Sequence, residues 1–205
     1  MQHSALVVID LQNDITKYYK EIIEKVNTAI DWAVKKNLWI IYIQHNNLSA
    51  GTRTFKPGTR GAELVPEMNV VSEHIFTKTK SNALTSEAFT AFLQEHGITD
   101  FYIAGADAAA CIKSTCYNMA KKGYTVHVLS DCITSYDKKK LPEIYNNSRC
   151  VQWHWFRFRR TSAHRTCRRT AWWSADIPRL PCHRQGHAYS YPNVSAPGQT
   201  GLSEQ

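Results

Sequence analysis

Residues 5–11, ALVVIDL, form a short, almost unbroken apolar run rich in β-branched side chains, with an acid at its sixth position. The same kind of run returns at residues 38–43 (LWIIYI), 101–105 (FYIAG) and 126–129, with a shorter one at 75–76. Apolar runs that do not alternate belong to strands buried on both faces, which means a parallel sheet covered by helices. Between the runs the period changes. Ile22, Ile23, Val26, Ala29, Ile30 and Ala33 recur at spacings of three and four within residues 15–36, laying one apolar stripe along a helix. Residues 86–95 and 109–122 read as two more helices, the second closed by Gly123 as a C-terminal cap. Alternating strands and helices predict an α/β fold: a three-layer, doubly wound, mostly parallel sheet with right-handed crossovers.

In such a sheet the reactive groups collect beyond the carboxyl ends of the strands. Three residues fall there: Asp10 after the first run, Lys78 after the third, and Cys111 six residues after Gly105 at the start of the next helix. Each has an ordinary reading, as a helix cap, a solvated cation or a small buried filler. Together they make a reactive set. A thiol at a helix N-terminus feels the positive end of the dipole, and a neighbouring ammonium lowers its pKa further, which raises the thiolate fraction. A carboxylate within reach then shuttles a proton between the thiol and a leaving group.

VVIDLQND around Asp10, KTKSNAL at residues 78–84, and GADAAACIKSTCYNMAKKGYTVHVLSDCITSYD at residues 105–137 resemble, in this order, the three blocks of the isochorismatase-like cysteine hydrolase superfamily. FKPGTRGAELVPEM at residues 55–68 resembles the loop these proteins carry between their second and third strands, and the likeness spans about residues 4–145. The resemblance implies that Asp10 is the general acid/base, Lys78 the cation supporting the thiolate, and Cys111 the nucleophile. Lys80 is the rival for the lysine role, but the family's pattern sets Lys78 in register with Asn82 and Ala83. It also implies a cis peptide at Ala106–Asp107 and an oxyanion hole made by the backbone N–H groups of Asp107 and Cys111.

The implied reaction is hydrolysis of a small-molecule amide through a thioester, with no cofactor, in a homo-oligomer. Nicotinamidases of this superfamily hold a metal through an Asp-x-His pair after the second strand. Here the segment reads YIQHNN, so no metal is expected, and His45 reads as a pocket wall or a satisfied polar residue rather than a ligand. The family also contains enzymes that cleave the vinyl ether of isochorismate without the cysteine; that reading stands as the alternative. Cys116 lies about 140° around the helix from Cys111 at roughly 100° per residue, and Cys132 follows the fifth run, so both read as structural.

Composition bears on the far end of the chain. The net charge of +8 divides unevenly: up to Asn147 there are 16 Lys+Arg against 15 Asp+Glu, and in the last 58 residues 9 against 2. All nine tail cations are Arg, and four of the six Trp and four of the seven Pro lie there too. The expected division is a hydrolase-like domain at 1–147 and an atypical, irregular tail at 148–205, with the family's last helix and edge strand missing or replaced. Three readings of the tail stand: translation of a different reading frame beyond Asn147; a basic arm in which Arg157, Arg159, Arg160, Arg165, Arg168 and Arg169 contact nucleic acid; or a zinc site drawn from Cys150, His154, His164, Cys167, Cys182, His183 and His187. The second would make the domain a non-catalytic scaffold. No apolar run approaches the roughly 18–20 residues of a membrane span. The opening residues lack a basic segment, and the six cysteines sit in a chain long enough to need no staples, so a cytoplasmic protein with reduced thiols is expected.

Overall fold

In the computed structural model, which describes residues 3–142 and 153–156, all within the first of the chain's two units, Met1–Thr170, the first apolar run becomes strand β1 (Ser4–Ile9). Strand β2 (Trp39–His45) pairs with one edge of β1 and β4 (Asp100–Gly105) with the other. β3 (Ile75–Lys78) lies outside β2, while β5 (Thr125–Ile133) and then β6 (Trp153–Phe156) lie outside β4. The order is β3-β2-β1-β4-β5-β6, and every pair is parallel. Successive strands can run parallel only if the chain crosses back between them: helices do so from β1 to β2, from β3 to β4 and from β4 to β5, and the 46–74 loop, with one 3₁₀ turn (Arg60–Ala62), does so from β2 to β3.

The absence of alternation in the strands now has a physical reason: both faces are dry. Ala5, Val7 and Ile9 join Ile41, Phe101 and Ile103 on the face covered by α3 (Glu87–Glu95) and α4 (Lys113–Lys121), through Phe89, Leu93, Cys116 and Met119. Leu6 and Val8 join Ile40 and Tyr42 on the opposite face, against Val26, Ala29, Ile30 and Ala33 of α2 (Ile23–Lys35). Each fully buried Leu, Ile or Phe contributes about 1.5–3 kcal/mol of transfer free energy, so the two clusters together dominate the stability of the fold. The helix expected over residues 15–36 is divided: α1 (Asn13–Tyr19) leads through a 3₁₀ turn (Lys20–Ile22) into α2. No helix among the described residues is long and apolar enough to cross a membrane.

Two strands outrun their apolar runs. β5 continues through the polar pair Ser130 and Asp131 to Ile133, after a shift of register opposite residues 103–105. β3 extends to Lys78, whose side chain is buried although its residue type argues for solvent. At the edge where the family's last strand is expected to be missing or replaced, Trp153–Phe156 of the tail pairs with β5 from Val126↔Trp153 to Leu129↔Phe156, and the stretch where the last helix is expected lies outside the described residues. Aromatic residues suit an extended edge, and four residues are too few for a period to show. The other expectations for the tail, the altered frame, the basic arm and the zinc ligands, concern residues or side chains outside those described.

From β1 the order runs one way to β2 and β3 and the other way to β4, β5 and β6, so the topological switch lies between β1 and β4, where the crevice of a doubly wound sheet forms. Gly105 makes that crevice close. Its φ of 114° is reserved for glycine, and the next amide, Ala106 N, donates to Ile9 O at 2.9 Å. A Cβ on Gly105 would run into the backbone of Ile9. Gly105→Ala should therefore destabilise the fold by roughly 3 kcal/mol or more, combining strain with overpacking. Urea denaturation checks this; an unchanged midpoint would contradict it.

Candidate active site

Asp10 is the first residue beyond β1. It adopts a left-handed conformation with φ 55°, which Asp tolerates better than most residues, and its amide still reaches Ile43 O at 2.9 Å. That turn sends the carboxylate over the strand ends. Lys78, the last residue of β3, stands in register with His45, the last of β2, so the two side chains leave the sheet on the same face. Lys78 then extends across the end of β2 toward Asp10.

Lys78 Nζ lies 2.8 Å from Asp10 Oδ2, 3.0 Å from His45 Nδ1 and 3.4 Å from Cys111 Sγ. The lysine and aspartate side chains are 0 % and 3 % exposed. An ammonium carries three N–H donors and no acceptor, so these three contacts use all of it, and His45 Nδ1 is necessarily an acceptor. Lys80, the rival, is exposed. Asp10 Oδ1 is buried and has no hydrogen-bond partner among the described residues.

The fourth wall is the connection from β4 to α4. The peptide Ala106–Asp107 is cis. Asp107 caps the π-helical turn Ala108–Ile112 by accepting from Ala109 N at 2.8 Å, and Cys111 sits in that turn, half-buried, ahead of α4. The same carboxylate accepts from Ser135 Oγ at 2.5 Å, Tyr136 N at 3.0 Å and Tyr19 OH at 3.3 Å. One side chain thus ties the cysteine turn to the loop after β5 and to α1. The amides of Ala108, Ala110 and Ile112 bond to Thr134 O and, for the last two, to Asp107 O. None of these bonds uses the amides of Asp107 or Cys111.

Gln12, fully buried, joins the remaining pieces. Its Oε1 accepts from His45 N at 2.8 Å, and its Nε2 donates to His45 O at 3.0 Å and Ala62 O at 2.7 Å. The following residues hold the 46–73 loop: Asn13 Nδ2 donates to Arg60 O at 2.8 Å, and Asp14 Oδ2 accepts from Phe55 N at 2.6 Å. Phe55 meets the His45 ring edge-on, with centroids 5.4 Å apart.

Electrostatics correct one expectation. Burial, followed by repulsion from the Asp10 carboxylate, pushes the Cys111 thiol up to about 12, against the opposing pull of Lys78. The lysine alone would favour a thiolate, but a half-buried sulfur loses too much hydration and faces an acid as well. Burial likewise pushes Asp10 above the ordinary carboxylate range, opposed chiefly by Lys78. Burial and the adjacent ammonium hold His45 below the ordinary imidazole value, so it is neutral at pH 7. Cys116 and Cys132 are buried in the two cores, and burial raises both thiols.

Asp10, His45 and Cys111 present donor atoms within 4.8 Å of one another, a set that could in principle ligate a metal. Lys78 Nζ is hydrogen-bonded to all three, so the ammonium already stands where a divalent cation would have to go, and the residues as arranged do not fit one.

Asp10, Lys78 and Cys111, singled out from the sequence, converge here. Gln12, the Asp107 carboxylate and the contact of His45 with Lys78 were not anticipated; the register of His45 opposite Lys78 is the signal that finds the last. Because Asp10 is one cause of the raised thiol, Asp10→Asn should move the midpoint of the pH dependence of Cys111 alkylation by iodoacetamide down by about one pH unit. Mass spectrometry of the Cys111 peptide measures this, and an unmoved or raised midpoint would contradict it.

The isochorismatase domain model matches residues 4–148. A probable inactive nicotinamidase of Arabidopsis thaliana is 28% identical over 170 residues, covering 70% of this chain and 85% of that protein. Among solved structures, the fold resembles pyrazinamidase of Pyrococcus horikoshii in complex with zinc, with a TM-score of 0.68, 22% identity and coverage of 76% of this chain and 99% of the other. It also resembles N-carbamoylsarcosine amidase from Thermoplasma acidophilum, with a TM-score of 0.67, 18% identity and coverage of 77% and 96%. By the span of the domain match, and with the parallel sheet of these neighbours, the chain belongs to the isochorismatase family of hydrolases.

Proposed function

We propose that this chain hydrolyses the C–N bond of a small-molecule amide through a thioester on Cys111. The observation that carries the reading is the buried ammonium of Lys78, held at once by the Asp10 carboxylate and the Cys111 sulfur. With the thiol pushed up to about 12, the resting cysteine is protonated at neutral pH, and a base must remove its proton as the sulfur attacks. The reading of Asp10 as that base is supported by its buried Oδ1, which has no hydrogen-bond partner among the described residues.

The steps then follow from charge. Cys111 Sγ bonds to the amide carbon while its proton passes to Asp10. The carbonyl oxygen becomes an oxyanion, met by the amides of Asp107 and Cys111; one such donor is worth about a hundred- to a thousandfold in rate. Collapse breaks the C–N bond, and Asp10 returns the proton to the departing amine. Water, relieved of a proton by Asp10, cleaves the thioester, releasing the acid and restoring the thiol. Lys78 Nζ, within hydrogen-bond reach of both Asp10 and Cys111, offsets whichever partner is anionic. Nicotinamide is a poor choice of substrate, because the Asp-x-His pair that nicotinamidases use is replaced around His45.

Cys111→Ala should lower ammonia release from any primary amide the protein turns over by about a millionfold, the scale of removing a nucleophile that works as part of a unit. A coupled ammonia assay across a panel of small amides tests this. Turnover retained by Cys111→Ala would sink the nucleophile and leave the vinyl-ether reaction as the reading.

A further inference from the structure

Lys78 reaches Cys111 across a gap of two strands, and something has to aim it. Its side chain starts at the end of β3, passes the end of β2 and meets Asp10 beyond β1. The residue at the end of β2 is His45, whose Nδ1 lies 3.0 Å from Nζ. Asp10 alone cannot set the direction of the ammonium, since a single acceptor leaves the lysine end free to pivot about the Nζ–H···O bond, which swings the other two N–H bonds. A second fixed acceptor removes that freedom, and the third N–H then has one direction left, toward Cys111 Sγ at 3.4 Å.

His45 is itself firmly held. Gln12 bonds to both its N–H and its C=O, and Phe55 packs against its ring. With Nδ1 committed as an acceptor, the ring proton sits on Nε2, and a further hydrogen bond joins the ring to the backbone of Lys80. The titratable groups that face the ring are Lys78, Asp10 and Cys111. A neutral imidazole is the suitable partner here: a carboxylate would add a second negative charge beside Asp10, and a charged imidazolium would have no lone pair for Nζ.

We propose that His45 is a positioning residue of this site: by accepting one N–H of Lys78 on Nδ1, it aims the ammonium at Cys111. The inference rests on the reading of Cys111 as nucleophile, but its test does not need a known substrate.

The experiment compares His45→Ala, His45→Asn and His45→Gln with the wild-type full chain. Asn Oδ1 stands close to where Nδ1 stood, whereas Gln Oε1 stands farther out, near Nε2. The first readout is the rate at which iodoacetamide alkylates Cys111 at pH 8, followed by peptide mass spectrometry. His45→Ala should slow it about tenfold, the effect of losing one hydrogen bond to a charged group. Opening the site with a smaller side chain would speed the reaction, so a slowing reports the lost aim rather than access. His45→Asn should restore the rate to within about threefold, on the same scale, and His45→Gln should not. Where an amide is turned over, kcat should fall in the same order with KM little changed.

An alanine variant that reacts at or above the wild-type rate overturns the proposal, and so does rescue by Gln equal to that by Asn. If the alanine variant does not fold, the Asn and Gln pair, nearly isosteric at the backbone, still decides. Turnover surviving in Cys111→Ala would remove the nucleophile reading, while the ranking of the three His45 variants by alkylation would still stand or fall separately.

Discussion

A lysine ammonium shut away from water must find three acceptors within a few ångströms, and in this chain that requirement organises everything around the strand ends. Leaving one charge of a buried pair unmatched costs about 3–5 kcal/mol, a large part of the net stability of a domain this size. Lys78 is therefore not free to sit there unless Asp10, His45 and Cys111 arrive together. They come from the ends of β1 and β2 and from the turn after β4, so the ammonium is satisfied only when four strands are in register.

The fold makes that meeting possible by bringing strands far apart in sequence side by side. β1 sits between β2 and β4, and the crossovers diverge there. The close approach of Gly105 to Ile9 narrows the crevice, and the left-handed turn at Asp10 tips the carboxylate into it. Gln12 and Asp107 are the braces. Gln12 locks the end of β2 and the loop beyond it onto the end of β1, and Asp107 locks the cysteine turn onto the loop after β5. Both bury polar atoms with partners on nearly every side, which makes them specific rather than merely adhesive.

The doubly wound sheet was legible because runs such as 5–11 and 38–43 have one physical explanation, burial on two faces. Asp10, Lys78 and Cys111 were legible because strand ends are where such sheets place chemistry. Other features could not be read. The far end of β5 was hidden by Ser130 and Asp131, polar residues inside a strand, and β6 was too short to show a period. The direction of the thiol's shift was misjudged because charge near a cysteine can be inferred from motifs, whereas its burial cannot. Gln12 escaped notice, and His45 was read only as a pocket wall or satisfied polar residue, because the bonds of Gln12 to residues 45 and 62 and the register of His45 with Lys78 appear only once the chain is folded.

On the proposed reaction, a thiol that rests protonated beside a buried ion pair stays inert toward solvent and loses its proton only as it attacks a carbonyl. All of this depends on Lys78 and Asp10 acting as a pair. A double-mutant cycle in thermodynamic stability, built from Lys78→Met, Asp10→Asn and the combined variant, measures that coupling most directly. Each single change should destabilise the fold by about 3–5 kcal/mol, and the double variant, which leaves no unmatched charge, by no more than either single one. Strictly additive losses would contradict the account.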